Sequence, residues 1–315
     1  MASEKTIRIF SISGGLGKNI AATPVLKYLK ETYPDDELIL LTAWDNIFYN
    51  NPYVKVFRFN EYKYFHEDYI ENDAIIINNN PYDDLEYRQG KIHLTQAFAK
   101  VWGIKDYKKV ELKPYVNIPI EFEVSARKEI YDMKNKFKQP LIVVQYLGAT
   151  KYENGIIYPS GRENIDLFTK VIANLSQRYT ILLMKLANQP MINIKKDNIL
   201  TLTKDAHYMK WFAYIKYADF FVGIDSSGQH MAATVNTPAV VVFGRTNPNN
   251  LSYKNQIIIT GECEKLHCNG GFLSIPTYFT CKYNYKCMTT IDENKIINAV
   301  DKYFNKKQVS EVTHK

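Results

Sequence analysis

Residues 225–230, Asp-Ser-Ser-Gly-Gln-His, place a carboxylate, two hydroxyls, a glycine and an imidazole directly behind the apolar run Phe220–Ile224. Such a group of donors at a helix start suits a diphosphate, because the first helical N–H groups lack partners and carry partial positive charge. Asp225, Ser226, Ser227, Gly228 and His230 are therefore candidate ligand contacts. A second polar turn, "FGRTNP", follows the next apolar run and adds Gly244 and Thr246. The competing reading makes Asp225 a helix cap and His230 a packed polar residue. Two neighbouring strand ends with polar turns favour the binding site.

The stretch "SISGGLGKNIAATPVLKYL" poses a similar question near the start of the chain. Gly17-Lys18 fits the middle of a Walker loop, but Ile12 stands where its first glycine belongs and Asn19 replaces the magnesium-binding hydroxyl. The dinucleotide fingerprint fails as well, because Ile20 occupies its third glycine position and no acidic residue ends the second strand. A nucleoside triphosphatase and an NAD enzyme are thereby disfavoured. What survives is a turn in which Gly14, Gly15 and Gly17 let backbone approach a bulky ligand, with Lys18 beside it.

These turns need strands and helices to hold them. "TIRIFSI", "ELILLTA" and "DAIIINN" read as strands, two of them apolar enough to be buried on both faces. "NIAATPVLKYLKETY" and "KIHLTQAFAKVWGI" read as helices, and "FEVSARKEIYDMKNKFK" as a charged helix before Pro140. The alternation restarts with "QPLIVVQYLG" and continues to "AVVVFG". The expected fold class is α/β, with two Rossmann-like domains facing a central cleft. The boundary is expected at 136–140, giving one domain over 1–137 and a second over 138–315. The last residues, "NKKQVSEVTHK", read as a frayed end.

The chain resembles the heptosyltransferase-like glycosyltransferases of family 9, which have the GT-B fold and invert the anomeric centre. "GLGKNIAATPVL", Asp225 through Pro248, and the ending "CKYNYKCMTTIDENKIINAV" carry the resemblance. It implies that the residues around Asp225, with Gly244 and Thr246, meet a nucleotide-diphosphate sugar. It also implies a basic residue that neutralises the leaving diphosphate, a role assigned to Arg162 in preference to Lys151. The family's general base, an aspartate after the glycine, is replaced by Lys18. An ordinary lysine is already protonated at neutral pH, so the base is left open among Asp45, His66, Asp83 and Lys18. No metal is implied for catalysis.

Composition bounds the partners. The 315 residues are 46% hydrophobic and carry a formal charge of +7, which suits either an anionic acceptor or a soluble Lys-rich surface. No apolar run reaches membrane-spanning length, and the reading is a cytoplasmic protein, peripheral at most to the inner membrane face. The default acceptor is a lipopolysaccharide core or another glycan, with an ADP-heptose-like donor. Two rivals are a phage-type enzyme that adds a sugar to a hydroxymethylated DNA base and an inactive sugar-binding protein. Cys263, Cys268, Cys281 and Cys287, spaced C-x4-C-x12-C-x5-C, are candidate structural zinc ligands, with His267 as a spare.

Overall fold

The computed structural model describes residues 5–148, 152–153, 156–157, 163–186, 189–202, 206–268 and 281–313. The chain forms two compact units: residues 1–119 with 249–253, and residues 120–248 with 254–315.

The first unit is built on four strands, β1 (Ile7–Ile12), β2 (Glu37–Thr42), β3 (Lys55–Arg58) and β4 (Ile75–Ile77). They pair in parallel in the order β3-β2-β1-β4. Its helices are α1 (Leu16–Ala22), α2 (Val25–Thr32), α3 (Leu85–Arg88) and α4 (Leu94–Val101). The single helix expected over 19–33 is broken in two. Pro24 has no amide hydrogen for a continuous helix and instead caps α2, while Thr23 turns its hydroxyl back onto the carbonyl of Ile20 at 2.8 Å. Ile9, Phe10 and Ile12 of β1 are buried with Leu26, Leu29, Phe98 and Trp102 from the helices.

The second unit opens with α5 (Ile120–Phe137), which ends at the expected junction and packs against a later helix of that unit. Lys210 of that later helix reaches Glu129 at 2.6 Å, which anchors the pair. Strands follow as β5 (Leu141–Gln145), the hairpin β6 (Tyr152–Glu153) and β7 (Ile156–Ile157), β8 (Thr180–Leu183), β9 (Ile199–Thr201), β10 (Phe220–Ile224), β11 (Ala239–Phe243) and β12 (Gln256–Thr260). Apart from the hairpin they form one parallel sheet, ordered β12-β11-β10-β5-β8-β9. All residues of β5, β8, β10 and β11 are buried, as continuous apolar runs in a sheet covered on both faces require. The covering helices are α6 (Ile165–Leu175), α7 (Tyr208–Tyr217), α8 (Ser227–Thr234), α9 (Pro248–Leu251), α10 (Lys286–Thr289) and α11 (Glu293–Thr313). The tail read as frayed is helical to Thr313, and Ile296, Val300 and Phe304 on α11 enter the core beside Phe220.

In each sheet the chain first builds outward on one side of the opening strand, then returns to the other side. The order therefore reverses between β1 and β4, and again between β5 and β10. A crevice opens at the carboxyl ends of the strands at such a reversal, where open α/β sheets take their ligands. Both glycine-bearing turns of the sequence lie at these two places.

One glycine there is fixed by packing. A Cβ on Gly228 would lie 2.6 Å from the buried Phe221 ring and also run into the Gln145 side chain. Gly228→Ala should therefore lower unfolding stability by about 1–3 kcal/mol through overpacking, measurable as a lower denaturation midpoint with an unchanged denaturant slope.

Candidate functional site

At the second unit's reversal, β10 runs straight into Asp225, which is 2% exposed. Its Oδ1 accepts from Gln229 Nε2 at 2.7 Å, and its Oδ2 accepts from the Thr246 hydroxyl. The carboxylate thus ties the start of α8 to the turn after β11. Ser226 has extended backbone and makes no side-chain capping bond to α8; instead its Oγ lies 3.4 Å from Gln145 Nε2. The Gly228 amide, expected to meet a diphosphate, donates to Gln145 Oε1 at 2.9 Å. Gln145, the last residue of β5, therefore links the two strands that flank the reversal.

Sequence reading passed over Gln145 because it closes an apolar run that looks like ordinary core. It also passed over Gln189, which is 7% exposed and donates to the Gly148 carbonyl at 2.7 Å. A Cβ on Gly148 would come within 3.2 Å of the Ser226 hydroxyl, so backbone and side chain already approach closely there. Arg245, likewise unassigned, is buried between Gly244 and Thr246, and its charge reaches Tyr285. His230 is buried on α8. The structure thus brings Asp225, Ser226, Gly228 and Thr246 together, with Ser227 half-buried at the first position of α8. Arg162 and Lys151 lie outside the described residues.

The first unit's reversal is assembled from the glycine turn and the three asparagines after β4. Gly14 has φ +101°, a left-handed conformation in which glycine avoids the usual Cβ penalty. Its carbonyl accepts from the Trp44 indole at 2.9 Å. Asn19, fully buried, donates to the Gly15 carbonyl at 3.1 Å and accepts from the Thr42 hydroxyl at 2.6 Å. It locks the turn to the end of β2, a use for the side chain that displaced the Walker hydroxyl. Across the reversal, the Ser11 hydroxyl donates to Asn78 Oδ1 at 2.5 Å.

Lys18 is 8% exposed. Its Nζ donates to Asn80 Oδ1 at 3.0 Å and lies 4.9 Å from the Tyr82 ring centre and 5.9 Å from that of Phe98. Burial lowers its pKa to about 8, while the charge of Asp83 pulls in the opposite direction. The other candidate bases are dispersed. Asp83 is exposed and paired with Arg88 at 2.9 Å. His66 is exposed on the short helix His66–Ile70, 3.4 Å from Glu71. Asp45 begins the short helix Asp45–Phe48, next to Trp44.

The four cysteines are free thiols: Cys287 is buried, Cys263 and Cys281 half-buried, and Cys268 exposed. Burial, followed by the charges of Cys263, Cys268 and Cys281, pushes the Cys287 thiol up to about 11. Among the described residues no three metal-ligating side chains are grouped as an ion would require. His267 points its Nδ1 at the Thr246 carbonyl, 2.9 Å away.

Comparison with known proteins fits this geometry. Residues 168–270 match the model of Glycosyltransferase family 9 (heptosyltransferase). The chain is 26% identical over 161 residues to Lipopolysaccharide heptosyltransferase 3 of Escherichia coli (strain K12), an alignment covering 47% of this chain. It spans 45% of that curated relative, under half its length. The solved structure of the glycosyl transferase family 9 protein from Veillonella parvula aligns with a TM-score of 0.67 at 15% identity, over 96% of this chain and 98% of that one. TibC, an iron-containing dodecameric glycosyltransferase of enterotoxigenic E. coli, aligns with a TM-score of 0.68 at 13% identity, over 96% and 77%. E. coli ADP-heptose lps heptosyltransferase II gives 0.60 at 11% identity, over 96% and 99%.

The fold is that of the GT-B heptosyltransferase structures, an α/β architecture of two parallel sheets with helices. Over residues 168–270 the chain is similar in sequence to glycosyltransferase family 9 (heptosyltransferase), and over nearly its whole length it shares the fold of the solved family 9 protein. Among the described residues no helix is long and apolar enough to cross a membrane.

Lys18 makes the stability of the fold depend on pH. Its folded pKa lies below its unfolded value of 10.5, so between these values the unfolded chain holds more protons and stability rises with pH. Below about pH 8 the folded protein must carry a buried ammonium. Lys18→Met should therefore raise the melting temperature at pH 7, and this gain should shrink towards pH 10.5; an equal gain at both pH values would contradict the burial cost.

Proposed function

We propose that the chain is an inverting glycosyltransferase that moves a sugar from a nucleotide-diphosphate donor of the ADP-heptose kind to a hydroxyl on a glycan, such as a lipopolysaccharide core. The observation that carries the proposal is the buried Asp225 carboxylate holding Thr246 and Gln229. It sets two polar turns side by side at the second unit's strand reversal, within the segment that matches the family. Support for the donor class comes from a TibC structure described in complex with ADP-D-beta-D-heptose. Support for a glycan acceptor comes from the name of the lipopolysaccharide enzyme.

In this reading the Ser226 hydroxyl and the Ser227 amide meet the donor diphosphate at the start of α8, where the helix dipole favours negative charge. Gln145 and Gly228 shape the floor beneath it. Asp225 is a positioning residue: with both oxygens already engaged, it orients Thr246 and Gln229 and leaves ligand contact to its neighbours. Gly244 and His230 line the same side. Arg162 supplies positive charge to the leaving diphosphate. The acceptor oxygen displaces the diphosphate from the opposite face of the anomeric carbon, through an oxocarbenium-like state. Fixed donors aimed at the departing oxygens lower that barrier. The first unit's reversal, with Gly14, Gly15, Gly17 and Lys18, receives the acceptor.

A thermal-shift screen of nucleotide sugars tests the proposal. A donor present at about 100 times its Kd should add roughly 2.7 kcal/mol, a rise on the order of 5 °C for a unit of this size. Asp225→Ala should abolish that rise, since Thr246 and Gln229 lose their common partner. A screen in which no nucleotide sugar moves the wild-type melting temperature would remove the proposal.

A further inference from the structure

We propose that the exposed face of α5 is a docking surface for an anionic lipid bilayer; this goes beyond the transferase reading above and does not depend on it. Helical periodicity brings Ile120, Val124, Arg127, Tyr131 and Lys134 onto one side of α5, with Lys128 at its margin. Ile120, Val124 and Tyr131 are 69%, 60% and 65% exposed. Single apolar side chains are normal on a surface, but three in one row along a helix make a patch. A groove of about 520 Å³ belongs to the same face. It is lined by Val124, Ile130, Tyr131 and Tyr217, and by the three cations of that side.

The charge of this face is positive. Arg127 lies over the Tyr217 ring, 5.8 Å from its centre, and forms no ion pair among the described residues. Lys128 pairs with Asp132 and Lys134 with Asp219, each at 2.8 Å; the first is an exposed pair, which holds its partners weakly. Other carboxylates of the helix are occupied or turned aside. Glu129 meets Lys210 and Tyr214, while Glu123 accepts from Lys216 and Tyr217 at 2.5 Å each. Glu121 lies about 100° round the helix from Ile120. Residues 127–138 hold five lysine or arginine side chains against two carboxylates, so the half of α5 that borders the groove is net positive.

This pattern decides between occupants. A second copy related by a two-fold axis would bring the same cations face to face. A protein partner would need a continuous apolar core, from which lysine is ordinarily depleted; here Arg127 and Lys128 interrupt the apolar row between Val124 and Tyr131. A bilayer surface accepts both kinds of group at once. Apolar side chains dip below the headgroups, tyrosine sits at their level, and long cationic side chains reach back to the phosphates. An anionic leaflet adds attraction for each lysine or arginine held within a Debye length of it. The geometry fits α5 lying along such a surface.

Flotation of the full chain with phospholipid vesicles tests the proposal. Wild type should bind phosphatidylcholine vesicles that contain about one third phosphatidylglycerol, and bind phosphatidylcholine alone about tenfold less. Added salt should release it. Arg127→Gln should weaken binding to the anionic vesicles about fivefold, and Val124→Ser combined with Tyr131→Ser on the order of tenfold. Melting temperatures should stay near wild type, because all three side chains are exposed. Lys170→Gln removes the same charge from α6, which packs against α11, and should bind as wild type does. Equal losses in Lys170→Gln and Arg127→Gln would mark diffuse attraction to the whole basic chain and overturn the proposal. Wild type that ignores anionic vesicles would overturn it too, whether the face then takes poly-glutamate or a second copy of the chain.

Discussion

A single buried carboxylate organises the second unit's ligand end. Asp225 stands where β10 gives way to α8, and in a low-dielectric setting its oxygens must find donors or incur a large desolvation cost. It finds them in Gln229, one helical turn ahead, and in Thr246, on the far side of β11. That requirement fixes the spacing of two turns which the backbone alone would leave independent. Gln145 extends the arrangement to β5 by accepting from the Gly228 amide. The strand reversal supplies the opening, and this small polar network defines its edges.

The first unit repeats the same topology with different chemistry. Its reversal is lined by asparagine amides, a serine and one lysine rather than by a buried carboxylate. Asn19 holds the glycine turn in place as Asp225 holds the turn after β11, but through a neutral amide. Within that neutral frame Lys18 is buried, and burial lowers its pKa.

Much of this was legible in the sequence. The apolar runs at Leu141–Gln145, Phe220–Ile224 and Ala239–Phe243 became fully buried parallel strands, as a doubly covered sheet requires, whereas the similar run Ile75–Ile77 forms β4 with Ile75 and Ile76 exposed. The polar turns behind them were visible as breaks in that pattern. Other features were hidden for physical reasons. Pro24 reads equally as the start of a helix or as a break within one, and only packing decides. The strands β3 and β9 are short and half-exposed, so their periodicity is faint. Only the end of α11, from Asn305 on, has the polar composition that reads as a frayed tail; Ile296, Val300 and Phe304 before it fall on one buried face. Gln145 and the burial of Lys18 depend on contacts between distant segments, which no local pattern encodes.

The central claim is that the polar turn after β10 receives the donor diphosphate. A crystal structure with bound ADP tests it most directly. The account predicts the two phosphates against Ser226 and the Ser227 amide, with the Asp225 contacts to Thr246 and Gln229 retained. Phosphates bound elsewhere on the chain, with that turn bare, would contradict it.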